Sequence, residues 1–414
     1  MSSRGALVAA SLATAAEPPP LRGPSLGATA LDGPVGVAWD GAGSIVYAGA
    51  ADDLPWEPTA GRPDRGTLVP GFVDAHVHLP FVGWRADEFE ARLRGVSYAE
   101  LHGREGGIFR SSRLLREASD AEVLEFCLPL AREMAAHGTT GLELKTGYGL
   151  SIEQELRQAR LARRLAAEIP QTCTVTLLGC HAVPKEMDRA AWVRAVCLEL
   201  IPAVVAEGLA DQADIYVEDI AFSIDDLEAV AEAASNAGLP LRVHADQLGP
   251  SGAAEAAVRL GARSADHLNR CSDEGVQALG AAEATAAVLL PASTFFLRAG
   301  MPPAAALRQA GAILAVATDF NPGTSPVCSM PEAVAMACTL YGLPPLDALT
   351  AATANPAWIL GLDGRLGRLA PGLRADMLLL DGPTFAHAPY RPGHDPVVAT
   401  WIGGDLVAGD PSRV

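Results

Sequence analysis

Two histidines stand one residue apart at the end of an apolar run, His76 and His78 in "GFVDAHVH". On an extended strand, side chains two residues apart share a face, so both imidazoles point the same way. A bare pair of this kind fits two corners of a metal site and equally fits two polar residues satisfied by neighbours. His244 in "RVHADQ" and Asp319 in "VATDFNPG" tip the balance, because each also closes an apolar run. Three neutral imidazole nitrogens and one carboxylate form a compact set for one divalent ion, zinc or iron, with room left for a water molecule.

Such a set needs elements that bring distant runs to one place. Eight short apolar runs ending in polar residues recur between residues 70 and 350: "GFVDAHVH", "TTGLELKTGYG", "TVTLLGCHAV", "QADIYVEDI", "LRVHADQ", "SADHLN", "TAAVLLPAS" and "AILAVATDFNPG". Helical segments lie between them. In "SDAEVLEFCLPLAREMAAHG", Ser119 and Glu122 have capping-box spacing, Val123, Phe126, Leu130 and Met134 form a stripe, and Gly138 ends it. Ser223 and Asp226 open a second such helix, which Gly238 stops ahead of Pro240. Eight alternating units predict a (β/α)8 TIM-type barrel of the α/β class, with an open doubly wound sheet as the competing arrangement. In a barrel the chemistry sits at the C-terminal ends of strands, and His76, His78, His181, His244 and His267 all fall there.

The two ends of the chain read differently. "VGVAWDGAGSIVYAG" is a hairpin pattern turning at Asp40-Gly41, and "RADMLLLDG" and "VVATWIGGDLV" return to short alternating strands. The expected organisation is a small β-sandwich-like domain from residues 1–70 plus 355–414, clasping a barrel over 71–354. The Ala-rich start superficially resembles a leader but lacks a strong apolar region, and an ordinary first strand is expected there.

Bulk properties narrow the partners. A formal net charge of -18 opposes binding to nucleic acid, whose affinity comes from clustered Lys and Arg. No run reaches the length of a membrane helix. The 7 cysteines are odd in number and contain no C-x-x-C pair, which predicts reduced thiols in a soluble cytoplasmic protein. An anionic substrate would therefore need local compensation against the field of the whole chain.

At this point the chain resembles the amidohydrolase superfamily and, within it, the imidazolonepropionases of histidine degradation. "PGFVDAHVHLPFVGWRADEFEARLRGVSY" marks the superfamily, whereas "KTGYGL", "CHAVP" and "DFNPGTSP" are more specific; "VHADQLGPSGAAEAA", "SADHL" and "LLPASTFFLR" extend the likeness over nearly the whole chain. The resemblance implies hydrolysis of the cyclic amide of 4-imidazolone-5-propanoate to N-formimidoyl-L-glutamate, and it suggests a homodimer. It implies that Arg85, Tyr148, His181 and Gln247 grip a small anionic heterocycle, and that Asn321, Gly323 and Thr324 receive the glutamate end of the product.

Physical chemistry supports several of these roles. A guanidinium can meet a propanoate with two parallel hydrogen bonds, although Arg85 could instead be a surface residue paired with Asp87 or Glu88. The amides of "NPGTSP" precede a helical segment and could face an anion. Asp319 is expected to carry a proton from water to the leaving nitrogen, with His267 hydrogen-bonding the oxyanion and Gln247 beside the reacting centre. His267 could instead orient a ligand, and His181 could bind metal. Glu218 marks where a second ion would bind in some superfamily members, but Lys145 is wrongly placed for carbamylation and one ion is expected. The competing functions are deamination of a nucleobase-like ring, or another cyclic amide as substrate; a non-catalytic assembly role would have cost the chain some of its ligands.

Overall fold

The computed structural model describes residues 4–23, 26–96 and 106–413. Chain order starts with β1 (Gly5–Ala15), β2 (Ala28–Trp39), β3 (Ile45–Ala50), β4 (Ala60–Gly61) and β5 (Thr67–Pro70). It continues with β6 (Phe72–Asp74), β7 (Thr139–Lys145), β8 (Thr172–Cys180), β9 (Gln212–Val217), β10 (Leu241–Ala245), β11 (Ser264–His267), β12 (Ala286–Leu289) and β13 (Ile313–Val316). β14 (Met377–Leu380), β15 (Val397–Ile402) and β16 (Asp405–Gly409) complete the set.

β6 to β13 form one parallel sheet in sequential order, and helices fill the crossovers. The last strand meets the first just beyond their ends: Val77 bridges Phe320 in parallel, and His78 N–H donates to the Phe320 carbonyl at 3.0 Å. The sheet is therefore a barrel, and the open-sheet alternative fails. Each of the eight expected runs supplies one strand. Helices outside and side chains inside leave almost every strand residue buried, as a parallel sheet covered on both faces requires. The expected caps form as well. Ser119 and Glu122 close a capping box at the head of Asp120–Ala136, and Ser223 and Asp226 do so for Ile224–Asn236.

The terminal segments make a second sheet, ordered β16-β15-β14-β5-β1-β2-β3 with β4 beside β1. Strands from both ends of the sequence meet where β14 pairs antiparallel with β5. Alternation in β14 serves two cores at once: Met377 and Leu379 pack with Leu7, Val37, Leu68 and Trp401, while Leu378 and Leu380 join the core shared with the barrel helices. The chain then passes directly from β5 into β6 through Gly71. A Cβ at that residue would lie 2.2 Å from Thr140 Oγ1, so only glycine lets the first barrel strand sit against the second. The expected first strand is present as β1, Gly5–Ala15, and is largely buried.

Candidate active site

Eleven of the sequence-selected side chains gather at the C-terminal mouth of the barrel: His76, His78, Arg85, Tyr148, His181, His244, Gln247, His267, Asp319, Asn321 and Thr324, around a cavity that Tyr216 and Ile108 also line. β6 ends at Asp74, so His76 and His78 lie just past the strand, on either side of Val77, which bridges Phe320, and their imidazoles converge. Their Nε2 atoms are 3.3 Å apart. His244, inside β10, brings its ring to 4.5 Å from that of His76 and 5.5 Å from that of His78, centroid to centroid. Asp319 Oδ1 stands 3.6 Å from His76 Nε2 and 3.3 Å from His78 Nε2.

Two triplets within this group place their ligand atoms inside 4.8 Å of one another: His76, His78 and His244, and His76, His267 and Asp319. Several of the same atoms are buried with no hydrogen-bond partner, namely His244 Nε2, His78 Nδ1, His267 Nδ1 and Asp319 Oδ2. Nitrogens and carboxylate oxygens converging this closely call for a shared partner, and a divalent cation at the point where His76 Nε2, His78 Nε2 and Asp319 meet would also serve the orphaned His244 Nε2; His78 Nδ1 lies on the other side of its ring and is not served by it. The residues present fit a metal ion. Burial drives the His76, His78 and His181 imidazoles well below their ordinary pKa and pushes His267 down to about 3. All four are thus neutral, as metal or substrate ligands must be. Burial raises the Asp319 carboxyl, with His267 and His244 opposing the rise.

Backbone strain marks the same residues. Asp319, His267 and Leu268 all have positive φ, at 56°, 79° and 61°. These conformations turn a strand that has just ended toward the cavity, and strain of this kind collects at functional sites.

Arg85 sits at the start of the helix Ala86–Leu93 and is only 7% exposed. It is not the surface arginine that its acidic neighbours allowed. Asp87 pairs with Arg110 instead, and Glu88 reaches Arg85 Nε only at 3.5 Å. Its best hydrogen bond, to Ser111 Oγ, is 3.4 Å long, and its Nε makes none. A buried guanidinium with unspent donors lining a cavity has the chemistry to receive an anion. Gly323 makes room for it, since a Cβ there would lie 1.2 Å from Arg85 Nη2.

The loop after β13 departs from expectation. The Gly323 and Thr324 amides are occupied, donating to Asn321 Oδ1 at 2.9 and 2.7 Å, and the following helix begins only at Met330 under a Ser329 cap. The loop is an Asn321-centred turn, and its amides do not form a helix N-terminal anion cradle. His181 stacks on His78 with centroids 5.2 Å apart, and its Nδ1 lies 3.2 Å from the Gly147 carbonyl, so it lines the cavity outside both ligand triplets. Glu218 accepts the Leu248 and Gly249 amides at 2.7 and 3.2 Å, so its carboxylate braces the loop behind Gln247. Cys180 is buried in the core. His137 caps its helix, His387 and His394 lie in the terminal segment, and His102 falls outside the described residues.

Sequence reading missed Tyr216, Ile108 and Ser293, the last of which hydrogen-bonds Asp319. Of the charged residues inside the barrel it weighed only Lys145, for carbamylation, and passed over Glu143, Asp214, Arg242 and Asp266. Their signal was present as charges at every second position of otherwise apolar strands, such as Glu143 and Lys145.

Residues 67–407 match the Amidohydrolase family. A protein of Rubrobacter xylanophilus named imidazolonepropionase is 45% identical over 395 residues, covering 94% of both chains. One of the same name from Aeromonas hydrophila is 43% identical, covering 82% of this chain and 84% of its own. Among solved structures, 5-methylcytosine deaminase from Klebsiella pneumoniae superposes with a TM-score of 0.73 at 16% identity, covering 98% of this chain and 97% of its own. E. coli guanine deaminase gives 0.68 at 16% identity, covering 97% and 99%. Likeness at that level speaks for the barrel alone.

Proposed function

The chain belongs to the amidohydrolase family and, within it, to the imidazolonepropionases, and from that premise we propose how its own residues carry the ring opening. The reaction is hydrolysis of the cyclic amide of 4-imidazolone-5-propanoate to N-formimidoyl-L-glutamate. The observation that carries the substrate assignment is the buried Arg85, with an unpartnered Nε, lining the same cavity as His78 and Asp319. Glu88 at 3.5 Å is a loose partner, so a neutral nucleobase would leave guanidinium donors unused, whereas the propanoate of the substrate takes them up.

His76, His78, His244 and Asp319 hold one ion per chain, zinc or iron. When bound, that ion supplies a Lewis acid that lowers the pKa of water toward neutrality. Arg85 binds the propanoate, and Tyr148, His181 and Gln247 orient the ring against the wall of the cavity. Asp319, whose carboxyl burial shifts toward a more basic range, accepts the proton of the attacking water and returns it to the leaving ring nitrogen. His267 is neutral and donates one N–H to the oxyanion as the carbonyl carbon becomes tetrahedral. Asn321, Gly323 and Thr324 form the wall behind Arg85, where the glutamate end of the product lies. A cytoplasmic homodimer belongs to the same reading; light scattering of the purified protein reads the assembly.

The test follows imidazolone absorbance in a coupled reaction started from urocanate, with elemental analysis of the same sample. Rapid loss of absorbance with one equivalent of metal supports the assignment. Turnover of guanine or cytosine with none of imidazolone propanoate would replace it with the deaminase reading.

A further inference from the structure

Beneath the ligand set lies a layer of charge that the mechanism above does not use. Glu143 and Lys145 project inward from β7, Asp214 from β9, Arg242 from β10 and Asp266 from β11, and none is more than 2% exposed. Lys145 Nζ donates to Glu143 Oε1 at 2.9 Å and to Asp214 Oδ2 at 2.7 Å. Arg242 donates to Glu143 Oε1, to Asp266 Oδ2 at 2.6 Å, and to the Ala75 carbonyl just ahead of His76 at 2.6 Å. The network ends in the two carboxylates that face metal ligands: Asp266 Oδ2 lies 2.6 Å from His76 Nδ1, and Asp214 lies 3.1 Å from His244 Nδ1.

A carboxylate clamped by a cation stays an acceptor, so the histidine nitrogen facing it must carry the hydrogen. Each imidazole then has a bare Nε2. These are the atoms that meet His78 and Asp319 in one case and find no partner in the other. Charge leads to the same reading. Three carboxylates against two cations leave one formal negative charge, and Asp319 adds a second, which one divalent ion neutralises. Lys145, held by two carboxylates, has no free lone pair with which to become a bridging ligand, which limits the site to a single ion.

We propose that the Glu143–Lys145–Asp214–Arg242–Asp266 network is a positioning device for the metal, holding His76 and His244 as Nδ1–H tautomers and matching the site to the charge of one divalent cation. It rests on the reading of His76, His78, His244 and Asp319 as ligands. The experiment measures zinc affinity of metal-free full-length protein by competition with a chromophoric chelator. Asp214→Asn and Asp266→Asn are each expected to weaken binding by about 10- to 100-fold, the range for partners of metal-bound histidines. A second measurement needs no variant: nitrogen-15 spectra of metal-free, histidine-labelled protein should show His76 and His244 protonated at Nδ1. Tight zinc binding by the unaltered protein with unchanged affinity in both variants, or Nε2–H tautomers in the spectra, overturns the proposal alone. Failure of the unaltered protein to bind zinc overturns the ligand reading and the proposal together.

Discussion

At the scale of residues, Arg85 and Gly323 act as a pair. Arg85→Lys keeps the charge but loses the planar fork, and kcat/KM should fall by about 10- to 100-fold, on the order of the 1.5–3 kcal/mol that a hydrogen bond to a charged group is worth. Gly323→Ala pushes a methyl group into the guanidinium. It should therefore reproduce the loss seen in Arg85→Lys while leaving metal content unchanged, and steady-state kinetics with elemental analysis separates the two readouts. Equal metal content with normal kinetics in Gly323→Ala would show that the guanidinium has another place to go. For His267, replacement by Asn should lower kcat by about 10²- to 10³-fold with metal retained, the usual cost of one oxyanion donor. Loss of the ion in that variant would instead make His267 a ligand, since it shares a triplet with His76 and Asp319. His76 and His78 were legible as a pair because strand periodicity is local. The partners of their ring nitrogens were not, because Asp266 is 190 residues from His76 in sequence.

At the scale of elements, a capping box stabilises the helix Asp120–Ala136, the last before the second barrel strand. Ser119 Oγ accepts the Glu122 amide and Glu122 accepts the Ser119 amide in return. Ser119→Ala should cost about 1 kcal/mol, seen as a lower urea midpoint with an unchanged slope. Helix ends of this kind were readable because the signal lies within four residues. The turn after β13 was not. "NPGTSP" is compatible with a free amide nest, and only the folded loop shows the Asn321 side chain occupying the Gly323 and Thr324 amides. A side chain and a bound anion compete for the same donors, and local sequence does not rank them.

At the scale of the whole molecule, the buried histidines couple stability to pH. In metal-free protein, an unfolded histidine takes up a proton near its ordinary pKa of about 6.5, whereas burial holds His267 down to about 3 and His76, His78 and His181 well below the ordinary value. Between those limits the unfolded chain binds more protons. Stability contributed by these groups is therefore fully present above about pH 6.5 and declines as pH falls, by at most about 1.4 kcal/mol per pH unit for each histidine. Urea midpoints of chelator-treated protein at pH 8 and pH 5 measure it, and equal midpoints would contradict it. The union of the two sheets is the other global feature. Leu378→Ala opens a cavity where the terminal sheet meets the barrel helices. It should cost about 2–5 kcal/mol, read by the same denaturation.

The order of eight strands, the helices between them and the candidate ligands were determined by the sequence alone, because hydrophobic period, capping residues and strand-end histidines are all short-range signals. Tertiary structure decided the rest. Only closure of the barrel brings Asp319 of its last turn to His78 of its first, and only burial from every side converts Arg85 from one more charge in an acidic loop into a buried cation, loosely paired with Glu88, that lines a cavity. The same closure gathers Glu143, Lys145, Asp214, Arg242 and Asp266 into one network from four strands. Ion pairing inside a barrel depends on which inward positions share a layer, and strand register sets that.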